Sequence, residues 1–298
     1  MEIKIGCRFC VAERMQQVYG IRVDPKEAKA LLDYTLRPTA LHPRNLDLSN
    51  LKDPITQEFL FFSTINKTQF FRDIYMLGMA EKVINGILER KLAGQTGRPG
   101  INIWSMGCSK GQEPYSLAML IRRMGWQESA DFNILGTDIV VRNLIFAQEG
   151  KNYIIDDIER PLTYPGDREI PREYNAFVRY HGDMIDLRPE VREMVQFRLA
   201  NILNPRDYDG REDTDLILVN NVFYYFEKET TRQALRLLVP RLSPGGVVIS
   251  KDLTNELIAE SGVPLTRLLL DDSLSLTVNG KVRSFENHQG YRAFQKAA

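Results

Sequence analysis

The stretch Ile103-Trp104-Ser105-Met106-Gly107-Cys108-Ser109-Lys110-Gly111-Gln112-Glu113-Pro114-Tyr115-Ser116 decides how this chain folds. An apolar run ends in a bend with two glycines, and a proline then opens a helical period, which reads as strand, tight turn and helix. Glycines at 107 and 111 let a ligand approach the backbone where side chains would block it. They fall at the carboxyl end of a strand, where open α/β sheets bind ligands. A phosphate loop does not fit, because Lys110-Gly111-Gln112 lacks the Gly-Lys-Ser/Thr ending and Glu113 would repel a phosphate. A tight βα turn with no ligand satisfies the same residues, so the motif alone leaves both readings open.

Outward from this stretch the rhythm is consistent. Ile101 to Met106, Phe132 to Thr137, Asp215 to Val219 and Val247 to Ser250 are short apolar runs. They alternate with helical periods at Pro114 to Met124, Val140 to Ala147 and Thr230 to Leu242. Strands alternating with helices predict an α/β fold, a doubly wound, Rossmann-like parallel sheet covered on both faces. Upstream, apolar residues recur at helical spacing in Pro25 to Leu36 and Phe70 to Leu92, with Asp24-Pro25 as an N-cap and first helical position. Gly94 to Gly100 concentrates chain breakers. The expected organisation is therefore an N-terminal helical domain over 1–93, a linker over 94–100 and an α/β domain over 101–298. Lys151 to about Arg198 breaks the rhythm and reads as an inserted subdomain. Near the end, Leu274 to Val278 and Lys281 to Phe285 flank Asn279-Gly280, a signal for a two-residue hairpin.

Composition bounds the function. With 298 residues, 43% of them apolar, the chain can bury a full core. No apolar run approaches the roughly 18 residues of a membrane span, and no signal peptide is visible, so a cytoplasmic protein without membrane insertion is expected. Zero net charge lacks the signature of a nucleic-acid binder. Residues 1–98 carry 15 Lys plus Arg against 11 Asp plus Glu, an excess that could face an acidic partner or simply be a solvated surface. Three cysteines make no disulfide framework. Cys7 and Cys10 lack the further ligands zinc requires, and Asp156, Asp157 and Glu159 lack calcium-loop spacing, so no metal is expected.

Further candidates are weak one by one. Asp138 ends a strand where doubly wound sites place an acid on ribose hydroxyls, yet it could equally cap the next helix. In Asn66-Lys67-Thr68-Gln69-Phe70-Phe71-Arg72, Thr68 would cap a helix and the phenylalanines would pack it; Arg72 could pair on the surface or hold a carboxylate. Asn201, Asn220 and Asn221 follow apolar runs and could bond a ligand or close a turn.

Taken in order, these motifs resemble the bacterial chemotaxis receptor methyltransferases of the CheR type. Asn66 to Arg72 is similar to the family's Asn-x-Thr-x-Phe-Phe-Arg, and Gly107 to Ser116 to its Gly-Cys-Ser-x-Gly-Glu-Glu-Pro-Tyr-Ser. Gly136-Thr137-Asp138 matches its acidic strand end, Phe197 to Leu203 its Phe-x-x-x-Asn-Leu-Leu, and Asn221 to Phe226 its Asn-Val-x-x-Tyr-Phe. The resemblance implies S-adenosyl-L-methionine as cofactor, S-adenosyl-L-homocysteine as product, and methylation of glutamate carboxylates in the cytoplasmic helical region of chemotaxis receptors. It assigns Asn66, Thr68, Arg72, Gly107, Glu113, Asp138, Asn201, Ile202, Asn220 and Asn221 to the cofactor pocket, with Arg72 and Tyr225 facing the acceptor carboxylate. It makes the insertion a small β-subdomain and the N-terminal helices a receptor-facing domain. The chain departs from the family at Gln112, usually glutamate, at Asn220, usually arginine, and at Ser250-Lys251-Asp252, usually Gly-His-Ser-Glu.

A glutamate with a pKa of roughly 4.3 is ionised at neutral pH, so direct displacement at a methyl group requires no general base. The placement of His42, His181 and His288 outside the motifs agrees with this. Two rival readings are a methyltransferase with another acceptor and a cofactor-binding scaffold without turnover.

Overall fold

Alternate residues of the central strands enter different layers, and this sets the architecture. In strand β7 (Thr214–Val219), Leu216 and Leu218 join one apolar cluster while Ile217 and Val219 join another, and all four are fully buried. A strand covered on both faces has this period-two division. The computed structural model describes residues 8–24, 26–28, 48–94, 97–154, 172–210, 212–270, 273–278, 281–286 and 291–297.

Helices α1 (Arg8–Tyr19), α2 (Pro54–Ser63) and α3 (Ile74–Gly94) precede strand β1 (Gly100–Met106). Then follow α4 (Gln112–Met124), β2 (Asp131–Asp138), α5 (Val141–Glu149), β3 (Tyr153–Ile154), β4 (Val178–His181), β5 (Met184–Leu187) and β6 (Val195–Leu199). After β7 come α6 (Lys228–Leu238), β8 (Leu242–Ser250), α7 (Asn255–Ser261), β9 (Leu265–Leu268), β10 (Ser273–Val278), β11 (Lys281–Glu286) and β12 (Arg292–Lys296). Seven strands form one sheet in the order β6-β2-β1-β7-β8-β12-β9. The β6, β2, β1, β7 and β8 pairings are parallel, and β12 runs antiparallel between β8 and β9. The chain leaves β1 toward β2 and β6, then crosses back to β7. Direction therefore reverses beside β1, which opens a crevice at the carboxyl ends of these strands.

Several boundaries differ from the sequence expectation, each for a physical reason. Thr68 does not cap the long helix. That helix begins at Ile74, and Asp73 Oδ1 accepts the Met76 N–H at 3.0 Å. Phe71 has a left-handed backbone (φ 53°), which a helix cannot continue through. Helix α3 also does not share a core with α1 and α2. Val83, Ile84 and Ile87 join the cluster of β1 residues Ile101 and Ile103, whereas α1 and α2 close around Met15, Phe59 and Leu60. Lys91 fastens the end of α3 to the sheet, donating to Gly100 O at 2.6 Å and Asp215 Oδ2 at 2.7 Å.

The insertion holds a three-stranded sheet, β3-β5-β4, but it ends before Arg198. Residues 195–199 are β6, paired to β2, because Phe197 packs across Gly111 and Gly136. Strands β10 and β11 pair with Val278 opposite Lys281, beside α3. The turn residues Asn279 and Gly280 lie outside the described residues, as do Cys7, Pro25, residues 29–36, His42, Asp156, Asp157, Glu159 and His288. Among the described residues no helix is long and apolar enough to cross a membrane.

Candidate functional site

The carboxyl ends of β1, β2 and β7 open into one pocket with about 1190 Å³ of atom-free space including its mouth. It is lined by Asn66, Thr68, Arg72, Gly107, Glu113, Asp138, Asn201, Ile202, Asn220, Asn221 and Tyr225, whereas Gly111, also singled out from the sequence, faces Phe197 and Ala147 instead. Four described non-glycine residues have a left-handed backbone, and three of them, Phe71 (φ 53°), Ser109 (φ 49°) and Asn221 (φ 59°), line this pocket. Such residues cost of order 1–3 kcal/mol each and collect at ligand sites, where the surrounding structure holds them.

The glycine bend has no space for side chains, because the protein's own atoms occupy both Cβ positions. Gly107 has φ +67°, and a Cβ there would lie 2.4 Å from Val222 Cγ2. Gly111 has φ +86°, and its Cβ would meet Phe197 Cζ at 2.9 Å and Ala147 Cβ at 3.0 Å. Asp138 locks the bend to the next strand: Oδ2 accepts the Ser109 N–H at 2.8 Å and Oδ1 the Val140 N–H at 2.9 Å. Neither the cap reading nor the ligand reading alone described it, since the carboxylate ties two loops together while still lining the pocket. With further bonds from the Ile139 N–H and the Asn143 amide, its four lone pairs are all engaged. Burial pushes its carboxyl above the usual carboxylate range, against the bonds from Val140, Ser109, Ile139 and Asn143.

Glu113 occupies the first turn of α4, where the helix dipole favours an anion. Its Oε1 accepts from Ser105 Oγ at 2.7 Å and its Oε2 from Asn220 Nδ2 at 2.9 Å. Desolvation raises its carboxyl, and the bonds from Asn220 and Ser105 and the charge of Arg72 offset only part of that. Asn220 supplies a neutral amide here, and its Oδ1 is buried without a hydrogen-bond partner, as is Ser109 Oγ. Orphaned acceptors on a pocket wall are what a polar ligand would satisfy.

Not every lining residue has polar capacity to offer. Asn66 spends Nδ2 on Phe61 O (2.7 Å) and Thr64 O (3.0 Å), and its Oδ1 accepts from Asn143 Nδ2 (2.6 Å). Asn201 Nδ2 donates to Val18 O (2.8 Å) and its Oδ1 accepts the Leu203 N–H (3.0 Å), tying the end of α1 to the strand tips. These two asparagines shape the wall. Arg72 is exposed, with Nη1 donating to Lys67 O at 3.1 Å. Tyr225 Oη accepts the Ile65 N–H at 2.7 Å, which leaves the phenolic proton available. Burial raises its pKa.

Sequence reasoning missed Asp73 and Tyr291. Both are buried, both line the pocket, and the Tyr291 hydroxyl donates to the Asp73 carboxylate. Asp73 carried a local signal, an N-cap residue type before a helical period. Tyr291 carried none, because strand pairing of β12 beside β8 is what returns it to the site.

Fold and site together define a class: a Rossmann-like α/β domain whose glycine bend and acidic strand tip frame a pocket at the carboxyl ends of its strands. Residues 66–251 match the family described as CheR methyltransferase, SAM binding domain, and the chain belongs to that family of S-adenosylmethionine-dependent methyltransferases. The chemotaxis protein methyltransferase of Listeria monocytogenes is 32% identical over 195 residues, covering 65% of this chain and 67% of that protein. Chemotaxis protein methyltransferase 2 of Vibrio cholerae is 30% identical, covering 62% of this chain and 60% of that protein. Chemotaxis protein methyltransferase 2 of Pseudomonas aeruginosa is 28% identical over 80% of this chain and 82% of its own length. The match thus spans about three-fifths to two-thirds of the first two relatives. A solved S-adenosylmethionine-dependent O-methyltransferase from Thermotoga maritima is 12% identical, covering 81% of this chain and 70% of that one, with a TM-score of 0.40.

Proposed function

We propose that this chain transfers a methyl group from S-adenosylmethionine to glutamate side-chain carboxylates in the cytoplasmic helical region of chemotaxis receptors. The observation that carries the reading is the convergence of five separated motifs on one pocket at the sheet's carboxyl ends. The lining fits the cofactor. Ser109 Oγ and Asn220 Oδ1 lack partners, and the half-buried Glu113 and buried Asp138 put two carboxylates beside a ligand that would be cationic at sulfur. When bound, S-adenosylmethionine supplies an electrophilic methyl on that sulfur and leaves as S-adenosylhomocysteine.

The chain's own residues position and desolvate. Asp138 holds the glycine bend against the next strand's tip, Glu113 faces positive charge, and Asn221 and Ile202 close the wall. Arg72 offers its remaining N–H groups to the incoming carboxylate, and Tyr225 donates its free proton or walls the reacting methyl. No base is needed. In-line approach and exclusion of water carry the rate, because donor and acceptor charges neutralise in the transition state. On this reading the protein works in the cytoplasm, and the helices before α3 face the receptor.

The test is radiolabelled methyl transfer to receptor cytoplasmic fragments, with a base-labile product expected. Arg72→Ala should lose roughly 100-fold or more in turnover while still binding S-adenosylhomocysteine. Unchanged turnover would remove Arg72 from the site, and absence of any base-labile product with the native enzyme would refute the acceptor assignment.

A further inference from the structure

Ile65 lines the pocket, and Tyr224 stands just outside it against the lining residue Tyr225; they are 60% and 62% exposed and flank a bridge across the opening. The Ile65 N–H donates to Tyr225 Oη, and the Tyr224 and Tyr225 rings meet edge to face at 5.2 Å between centroids. Ile65 follows α2 and Tyr224 follows β7, so the fold rather than the local sequence brings them together. A lone exposed apolar residue requires no explanation; two from distant segments at a substrate entrance suggest contact with a partner.

Cations stand beside them. Arg22 is exposed, and its Nη2 donates to Tyr224 O at 3.4 Å. Arg72 is exposed next to the same opening. Among the described residues neither guanidinium touches a carboxylate. The rim therefore offers an apolar seat flanked by two exposed guanidinium groups, complementary to an acidic segment that also carries a bulky apolar group.

We propose that this rim selects the acceptor sequence. It takes an acidic protein segment in which a bulky apolar side chain lies within one helical turn of the glutamate to be methylated. That side chain rests on Ile65 and Tyr224, and neighbouring carboxylates face Arg22 while Arg72 holds the glutamate to be methylated. The inference deepens the methyl-transfer reading and rests on it. Apolar contact at the centre of a small interface fixes register and slows release, whereas rim charge mainly speeds capture.

The experiment uses the full chain with S-adenosylhomocysteine and two labelled acidic helical peptides, each with one central glutamate and either Leu or Ala four residues away. Binding is followed by fluorescence anisotropy, and methyl transfer is measured in parallel with S-adenosylmethionine. The Leu peptide should bind about tenfold more tightly than the Ala peptide. Ile65→Ser and Tyr224→Ser should each remove most of that preference, and Tyr224→Ser should keep its affinity for S-adenosylhomocysteine within about twofold. Arg22→Gln should weaken both peptides, more so at low salt.

Equal binding of the two peptides, binding of neither, or a preference that survives both substitutions overturns the proposal. Loss of cofactor affinity in Tyr224→Ser does the same, since Tyr224 would then act through the fold. Leu-dependent binding without methyl transfer keeps the rim and removes the glutamate-acceptor reading. Methyl transfer indifferent to Leu keeps that reading and removes the rim.

Discussion

Glu113 is the residue at which stability and ligand binding oppose each other. Its carboxyl titrates above the usual range because burial outweighs the bonds from Asn220 and Ser105. A folded-state pKa above the unfolded one means that the ionised group costs stability. That cost is fully present above the folded pKa and shrinks as pH falls through it, since the native state takes up the proton first. Glu113→Gln should therefore raise the melting temperature at pH 7 by about 2 °C, and the gain should narrow as pH drops toward the ordinary carboxylate range. Asn220 can accommodate the change, because its unpartnered Oδ1 would accept from the new amide. Calorimetric affinity for S-adenosylmethionine should fall about tenfold or more, with the negative charge gone. A variant both less stable and equally able to bind would contradict this account. Gly107→Ala should cost about 1–3 kcal/mol and most cofactor affinity, as it combines a positive φ with a 2.4 Å approach to Val222. Adding Val222→Ala removes the clash but not the backbone strain, so denaturation should show only partial recovery.

At the level of elements, the sequence located the strands and helices of the sheet well and misplaced the start of α3. Periodicity ran through Phe70 and Phe71, and both are indeed buried, but as a turn rather than a helix. A periodic apolar pattern cannot reveal a left-handed residue within it. The consequence is measurable in urea. Asp73→Ala should lower unfolding free energy by about 1–2 kcal/mol through loss of the cap, whereas Thr68→Ala should stay within about 0.5 kcal/mol. The reverse order would restore Thr68 as the cap.

Across the whole molecule, the pocket draws on parts of the chain that share no local signal: Tyr19 at the end of α1 and Ile21 just beyond it, Asp73 at α3, the tips of β1, β2 and β7, and Tyr291 before β12. A ligand bridging so many elements should stabilise the fold globally. S-adenosylhomocysteine at about 100 times its Kd should add about 2.7 kcal/mol, read as a single upward shift of a cooperative thermal transition. The shift should persist in Arg72→Ala, which the proposed roles place toward the acceptor, and a vanished shift there would move Arg72 into the cofactor's grip.

The sequence by itself determined the doubly wound sheet, the glycine bend, the acidic strand tip and the family, because each depends on residue type at short spacing along the chain. Tertiary structure decided which asparagines are spent on the wall, that Asp138 ties two loops, that Phe197 ends the insertion by packing on Gly111 and Gly136, and that Tyr291 reaches Asp73. These are pairings between residues far apart in sequence, and strand order, which no local pattern encodes, is what brings them within bonding distance.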